Sequence, residues 1–226
     1  MYKGIAQNHG GGCMMIVRRD DDQGVGFIGS GFLCHSKGYI LTCAHGINLT
    51  DKLAVLPPQP LDEFNQLTLE RVHPIDVIVA QHDPLNDVAL LKIVNPPSLS
   101  VPNNIFGSEN TSKVGSSVCY LGFPFGQSGL HTIKVSQSII SSKVKSENGT
   151  KQYQIDAMVH EGNSGGPLVD LQTGQVIGII SGRFSPTGNH GGVRIGNYAL
   201  GTESTISYAT SINYGLELMK SEGLNV

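Results

Sequence analysis

Three short segments hold residues able to do chemistry together. Gly162-Asn163-Ser164-Gly165-Gly166-Pro167 sets a serine among glycines. A serine hydroxyl is a weak nucleophile. It needs a base beside it and hydrogen-bond donors aimed at the oxyanion that forms. Glycine before the serine lets the backbone turn so that the N–H groups of Gly162 and Ser164 point at one spot, and Gly165 and Gly166, without Cβ, let neighbouring backbone approach. Ile40-Leu41-Thr42-Cys43-Ala44-His45 ends an apolar run in two small residues and a histidine. A neutral imidazole titrating near working pH can take the hydroxyl proton and return it to a leaving group. In Asp83-Pro84-Leu85-Asn86-Asp87, ahead of Val88–Ile93, a carboxylate opens a strongly apolar run. Asp87 there can accept the other imidazole N–H, fix the tautomer and steady the imidazolium. Asp83 is its rival, but it precedes Pro84 in a turn setting. Taken singly, each segment has a plainer reading: a glycine-rich turn, a histidine bonding locally, a strand-opening carboxylate. Taken together they describe acyl transfer, with Ser164 as nucleophile, His45 as general base, Asp87 as its orienter and the Gly162 and Ser164 amides as oxyanion donors.

The elements that must position these residues read as short strands. Apolar runs at 13–17, 31–34, 39–42, 67–72, 76–80 and 88–94 form one set. Runs at 117–122, 131–141, 152–155, 167–169, 176–181 and 205–209 form a second. Between them Pro96-Pro97-Ser98 opens a polar connector, where proline excludes a central strand. The expected fold is all-β: two six-stranded antiparallel barrels, about 12–97 and 114–209, joined by a linker at about 98–113, all one domain. His45 and Asp87 fall in the first set and Ser164 in the second, so the site would form in the cleft between barrels. Ile212, Leu216 and Met219 recur at helical spacing, with Ser211 able to cap the start and Gly223 the end, which predicts a C-terminal α-helix over about 211–222. The mixed-sign run Arg18-Arg19-Asp20-Asp21-Asp22 reads as a solvated hairpin turn.

Composition agrees with many short strands: of 226 residues, 29 are Gly and 11 Pro, and only 15% are charged. A net charge of −3 presents no basic face, so nucleic acid and membrane are not expected partners. No apolar run approaches a membrane span. Met1–His9 lacks the charged-then-apolar order of a secretory leader. Cys13, Cys34, Cys43 and Cys119 lack paired spacing and sit in apolar settings, which predicts reduced core thiols and no metal site. Those two features predict a cytoplasmic location. No cofactor is expected.

The order His45, Asp87, Ser164 is that of the chymotrypsin arrangement. Segments 29–45, 83–93 and 156–182 resemble the trypsin-like serine peptidases, and most of all the HtrA (Deg) protease domain. DPLNDVALLKI, VGSSVCYLGFPFG and GNSGGPLVDLQTGQVIGI resemble that family's aspartate segment, the opening of its second barrel and its nucleophile segment. The resemblance implies a chymotrypsin-like fold and a serine endopeptidase acting on polypeptides through an acyl-enzyme. Departures are informative. No PDZ-type domain follows, so regulation through one is not expected. Asn163, not aspartate, precedes the nucleophile, so an ion pair with a freed α-amine, the trypsin route to activation, is not expected. The loop between Arg183 and Ser204, with Ser185–Gly192, is longer than the family's.

By position relative to Ser164, the primary pocket should be lined by Met158, Val159, His160, Ser181, Gly182 and Arg183. Met158 stands where a Lys/Arg-specific enzyme has an acid, which points to an apolar preference. Arg183 and His160 would instead favour an acidic side chain, but Ile180 stands where glutamate-specific relatives carry a histidine. Two other uses of the same fold stay open: a latent or pseudoprotease binding module, and an esterase with the same triad.

Overall fold

The computed structural model describes residues 1–20, 24–183, 204–226 and the short strands at 194–195 and 198–199. A helix, α1 (Tyr2–His9), leads into β1 (Cys13–Arg19), β2 (Val25–His35), β3 (Tyr39–Thr42), β4 (Leu53–Leu56), β5 (Ile75–Asp83) and β6 (Val88–Ile93). After the connector come β7 (Ser117–Gly122), β8 (Lys134–Lys145), β9 (Lys151–Asp156), β10 (Pro167–Asp170), β11 (Val176–Arg183), β12 (Arg194–Ile195), β13 (Tyr198–Ala199), β14 (Ile206–Ser211) and α2 (Ile212–Ser221). The first six strands close into an antiparallel barrel in the order β1-β2-β3-β6-β5-β4. The second barrel closes as β10-β11-β14-β9-β8-β7, and β12 pairs with β13 alone.

Two expected elements differ. Residues 67–72 do not form a strand, and Leu67 is 61% exposed. The fourth strand is Leu53–Leu56 instead, four apolar residues all buried. A four-residue apolar run carries little signal of its own, whereas 67–72 has no partner strand and only Val72 packs against the core. The helix α1 was also unexpected. Its one apolar anchor is Ile5, buried at 4% in the core, and six of its eight residues are solvent-facing or partly so. The Asp21-Asp22 turn and Ser185–Gly192 lie outside the described residues.

The C-terminal helix docks as its spacing predicts. Ser211 Oγ accepts from Asn213 N–H at the start, and Gly223 follows the end at φ +70°. Ile212 and Met219 are fully buried. Gly215 lies so close to Leu41 that a Cβ there would sit 2.8 Å from its Cδ1. Leu41 is itself fully buried on β3, between Phe32 and Leu90, the strand that carries His45 at its end. Leu41→Ala is therefore expected to destabilise by about 3 kcal/mol through lost burial and a residual cavity. Urea unfolding should show a lower midpoint at unchanged slope; an unchanged midpoint would mean the helix closes the gap.

All four cysteines are free and buried. Among the described residues no helix is long and apolar enough to cross a membrane.

Candidate active site

His45 follows β3 and stands in the open, its side chain 53% exposed. Asp87 ends the turn between β5 and β6 in the left-handed region, φ +57°, which aspartate tolerates better than most residues. Its two carboxylate oxygens lie 3.0 and 2.9 Å from His45 Nδ1, and its Oδ1 also accepts the His45 backbone N–H at 2.8 Å. The rival Asp83 is spent on the turn: its carboxylate accepts from the Asn86 N–H and side-chain amide at 3.1 and 2.7 Å. The second barrel braces the same turn, with Asn148 donating to Leu85 C=O at 2.6 Å and Thr150 meeting Asn86 at 2.8 Å.

The Asp87 hydrogen bond raises the His45 pKa above the ordinary value of 6.5, and partial burial opposes it. A base must be neutral, so the acid limb of kcat/KM is expected to have its midpoint above pH 6.5. A midpoint below 6.5 would mean the pair is broken in solution. The folded state also favours the imidazolium. That contribution to stability is complete below pH 6.5 and fades as pH rises through the raised pKa.

Ser164 sits in the turn before β10. Gly162 and Gly165 on either side have φ of +94° and +89°. A Cβ on Gly165 would lie 1.9 Å from Ser30 C=O, and one on Gly162 would lie 2.3 Å from Phe123 C=O. Two carbonyls of this turn are held outward. Glu161 C=O accepts from Phe125 N–H at 2.8 Å and Asn163 C=O from Gly166 N–H at 3.0 Å. In a trans peptide the N–H points opposite the carbonyl, so the Gly162 and Ser164 N–H groups both face away from these anchors. Among the described residues neither donates to another group. This is the arrangement that receives an oxyanion.

The two halves meet on shared atoms. Cys43 Sγ donates to Ile180 C=O at 3.0 Å, and the Gly165 N–H donates to the same oxygen at 2.7 Å. The Cys43, His45 and Asp87 donor atoms lie within 4.8 Å of one another. Burial, and then the charge of Asp87, push the Cys43 thiol well up, which keeps it protonated as a donor. Ser164 Oγ donates to Ser181 C=O at 3.2 Å, and no hydrogen bond joins it to His45. Asn163 is buried, and its side-chain amide has no partner among the described residues.

The six expected pocket residues are only partly brought together as a wall. Val159 is 4% exposed and packs inside the second barrel, with its N–H donating to Ser207 Oγ at 3.2 Å. Met158 is half-buried, and its C=O accepts from Tyr120 at 3.5 Å. His160 lies against Phe125, ring centroids 4.9 Å apart. Ser181 Oγ donates to Tyr208 C=O at 3.2 Å. A Cβ on Gly182 would meet nothing within 4 Å, and Arg183 is exposed. Phe125 was missed at the sequence level, because nothing in GFPFG reveals that its N–H reaches a residue 36 positions on.

The profile of the trypsin-like peptidase domain matches residues 29–179, more than half of the chain and all three of His45, Asp87 and Ser164. The chain belongs to this family. A "Probable periplasmic serine endoprotease DegP-like" of Brucella suis biovar 1 is 37% identical over 169 residues, 73% of this chain and 29% of the relative. A protein of the same name from Rickettsia conorii is 34% identical over 172 residues, 74% and 30% of the two chains. The solved structure titled "HtrA-type protease AlgW with tripeptide" superposes with a TM-score of 0.71 at 24% identity, over 98% of this chain and 63% of that one; it shares the two-barrel fold. This trypsin-like chain thus spans under a third of the length of the curated relatives it matches. Their periplasmic naming overturns the cytoplasmic expectation. The thiols that suggested a reducing compartment are free because each is shut inside the fold, with burial alone pushing Cys119 up to about 12. Met1–His9, which suggested the lack of a leader, is helical over Tyr2–His9, with Ile5 and His9 buried.

Proposed function

We propose that this domain is a serine endopeptidase that hydrolyses polypeptides through an acyl-enzyme. The observation that carries the proposal is the His45 imidazole gripped by both oxygens of Asp87 beside a turn whose two free amides flank Ser164. On substrate binding, Ser164 Oγ leaves the Ser181 carbonyl, gives its proton to His45 Nε2 and attacks the scissile carbonyl. The tetrahedral oxyanion is received by the Gly162 and Ser164 N–H groups. His45 then protonates the leaving amine, and water repeats the sequence to release the acid. Asp87 keeps the Nδ1 proton in place throughout. We read the two barrels and α2 as one peptidase unit.

The substrate backbone has a place to lie. The strand β11 pairs with β10 only as far as Ile179, while its pairing with β14 continues to Arg183. Among the described residues its edge over 181–183 has no strand partner on the β10 side, and with Gly182 open there it suits an extended peptide added as a further strand once Ser164 Oγ leaves Ser181 C=O. Met158 and the lack of an acid at that position support an apolar residue at the cleaved bond. A cleavage profile dominated by Glu or Lys would overturn that preference.

One observation favours a second reading, a latent form: the Ser164 hydroxyl is engaged by Ser181 and not by His45. Catalytic hydrogen bonds are often loose before substrate arrives, so the peptidase reading stands first. Labelling with a fluorophosphonate probe, followed by hydrolysis of an unmodified protein substrate, tests it. Labelling at Ser164 with peptide-bond cleavage is expected. Labelling with cleavage of esters only would assign an esterase, and no labelling under any condition would assign the binding module.

A further inference from the structure

Ser30 stands on β2 in the first barrel, is fully buried, and uses every polar atom it has on the site. Its hydroxyl donates to Gly162 C=O at 2.6 Å and accepts from Phe123 N–H at 2.9 Å. Its N–H donates to Ser164 C=O at 2.8 Å. Its C=O accepts the Thr42 hydroxyl at 2.7 Å. The Gly162 carbonyl belongs to the peptide between the two oxyanion amides, so the Ser30 hydroxyl holds the carbonyl edge of the one peptide plane that neither outward-held carbonyl controls, while the Asn163 N–H holds its other edge on His160 C=O at 3.1 Å. Thr42 lies three residues before His45. One residue therefore ties the donor amides, the nucleophile and the strand of the base into a single bonded unit across the barrels.

The space around it leaves no slack. A Cβ on Gly165 would meet Ser30 C=O at 1.9 Å and Thr42 Oγ1 at 2.3 Å, one on Gly29 would meet Ser164 C=O at 2.9 Å, and one on Gly122 would come within 3.0 Å of Ser30 Oγ. Gly122 and Gly165 bring two backbone segments of the second barrel against this serine, Gly29 beside it lets Ser164 approach, and a hydroxyl that donates once and accepts once meets both needs there.

We infer that Ser30 is a positioning residue, which sets the direction of the Gly162 and Ser164 amides and couples them to His45. Its kinetic consequence rests on the peptidase reading above; its structural consequence does not. In Ser30→Ala the Gly162 carbonyl loses its donor and the Phe123 N–H its acceptor, so that peptide is left on its Asn163 N–H bond to His160 C=O alone and can tilt.

The test compares wild type, Ser30→Ala and Thr42→Val in two measurements. Kinetics with a peptide substrate and a peptide boronate should show kcat of Ser30→Ala lowered about tenfold to a hundredfold, less than removal of an oxyanion donor itself. KM should stay within about threefold, and boronate affinity should fall in step with kcat, because both report the tetrahedral geometry. Hydrogen exchange should rise in segments 123–127 and 161–166 and stay unchanged in β1 and β5. Thr42→Val keeps the β-branched shape and should shift both readouts the same way by less. Unchanged exchange in 161–166 overturns the inference, as does a change in KM alone or a rise in exchange across the whole second barrel. If wild type does not cleave peptides, the peptidase reading fails and exchange alone decides this one. If Ser30→Ala does not fold, unchanged kcat and exchange in Thr42→Val overturn it.

Discussion

Ser164→Ala is expected to lower kcat for peptide hydrolysis by about four or more orders of magnitude, with melting within about 2 °C of wild type. The structure separates the two effects. Ser164 Oγ makes one hydrogen bond, to Ser181 C=O, and the residue is only half-buried, so its loss removes little packing and orphans no buried donor. The chemistry, by contrast, has no substitute. The nearby Ser30 hydroxyl is fully buried and held between Gly162 C=O and Phe123 N–H, and the nearby Cys43 is shut in at 4% exposure with its thiol pinned to Ile180 C=O. Substrate affinity should survive, because the oxyanion amides and the β11 edge stay in place. Active-site-normalised kcat, probe labelling and a thermal melt together decide the matter. Residual activity within tenfold of wild type would place the nucleophile elsewhere.

Asp87→Asn is expected to cost about four orders of magnitude in kcat near neutral pH while the protein stays folded. Asparagine is among the few residues that accept the left-handed backbone at this position, so the turn is kept. The amide offers one oxygen where the carboxylate offers two, so the position now held by one of the two oxygens becomes an NH2. The His45 backbone N–H is bound to Oδ1 at 2.8 Å in fixed geometry and would keep the oxygen. The amide NH2 would then face Nδ1 and donate to it. That leaves the imidazole proton on Nε2, where a proton must instead be accepted from Ser164. The acid limb should also move down in pH, because the hydrogen bond that raises His45 is gone. Full-range pH–rate profiles of both proteins check the two claims. A variant with near-wild-type kcat would mean Asp87 neither orients nor charges the base.

Much of this site was legible before any fold was known. Each of the three segments couples a reactive side chain to a local backbone need, and local needs are written in residue types: glycines around Ser164, small residues before His45, a turn before Asp87. The two barrels were legible because short apolar runs recur with Gly, Asn, Ser or Asp between them. Leu53–Leu56 is, like Tyr39–Thr42, fully buried and only four residues long, too short a run to carry much signal of its own, and 67–72 misled because a run without a partner strand makes no sheet. Val159 was expected to line a pocket, yet it packs in the barrel core. A pattern of types relative to Ser164 sets its place along the chain, not the direction its side chain takes.

By itself, then, the amino-acid order pointed to Ser164, His45 and Asp87 as the proposed reacting group and to the barrel that carries each. The geometry behind that reading, with the Asp87 carboxylate turned to His45 and that of Asp83 spent on Asn86, came from tertiary structure. So did the outward-held carbonyls that aim the oxyanion amides, the resting contact of Ser164 on Ser181, and the Ser30 bracket. The physical reason is distance along the chain. Ser30 meets Gly162 132 residues away, and Cys43 meets Ile180 137 residues away. A hydrogen bond of that span leaves no mark on spacing or periodicity; it exists only once the two barrels have closed and packed.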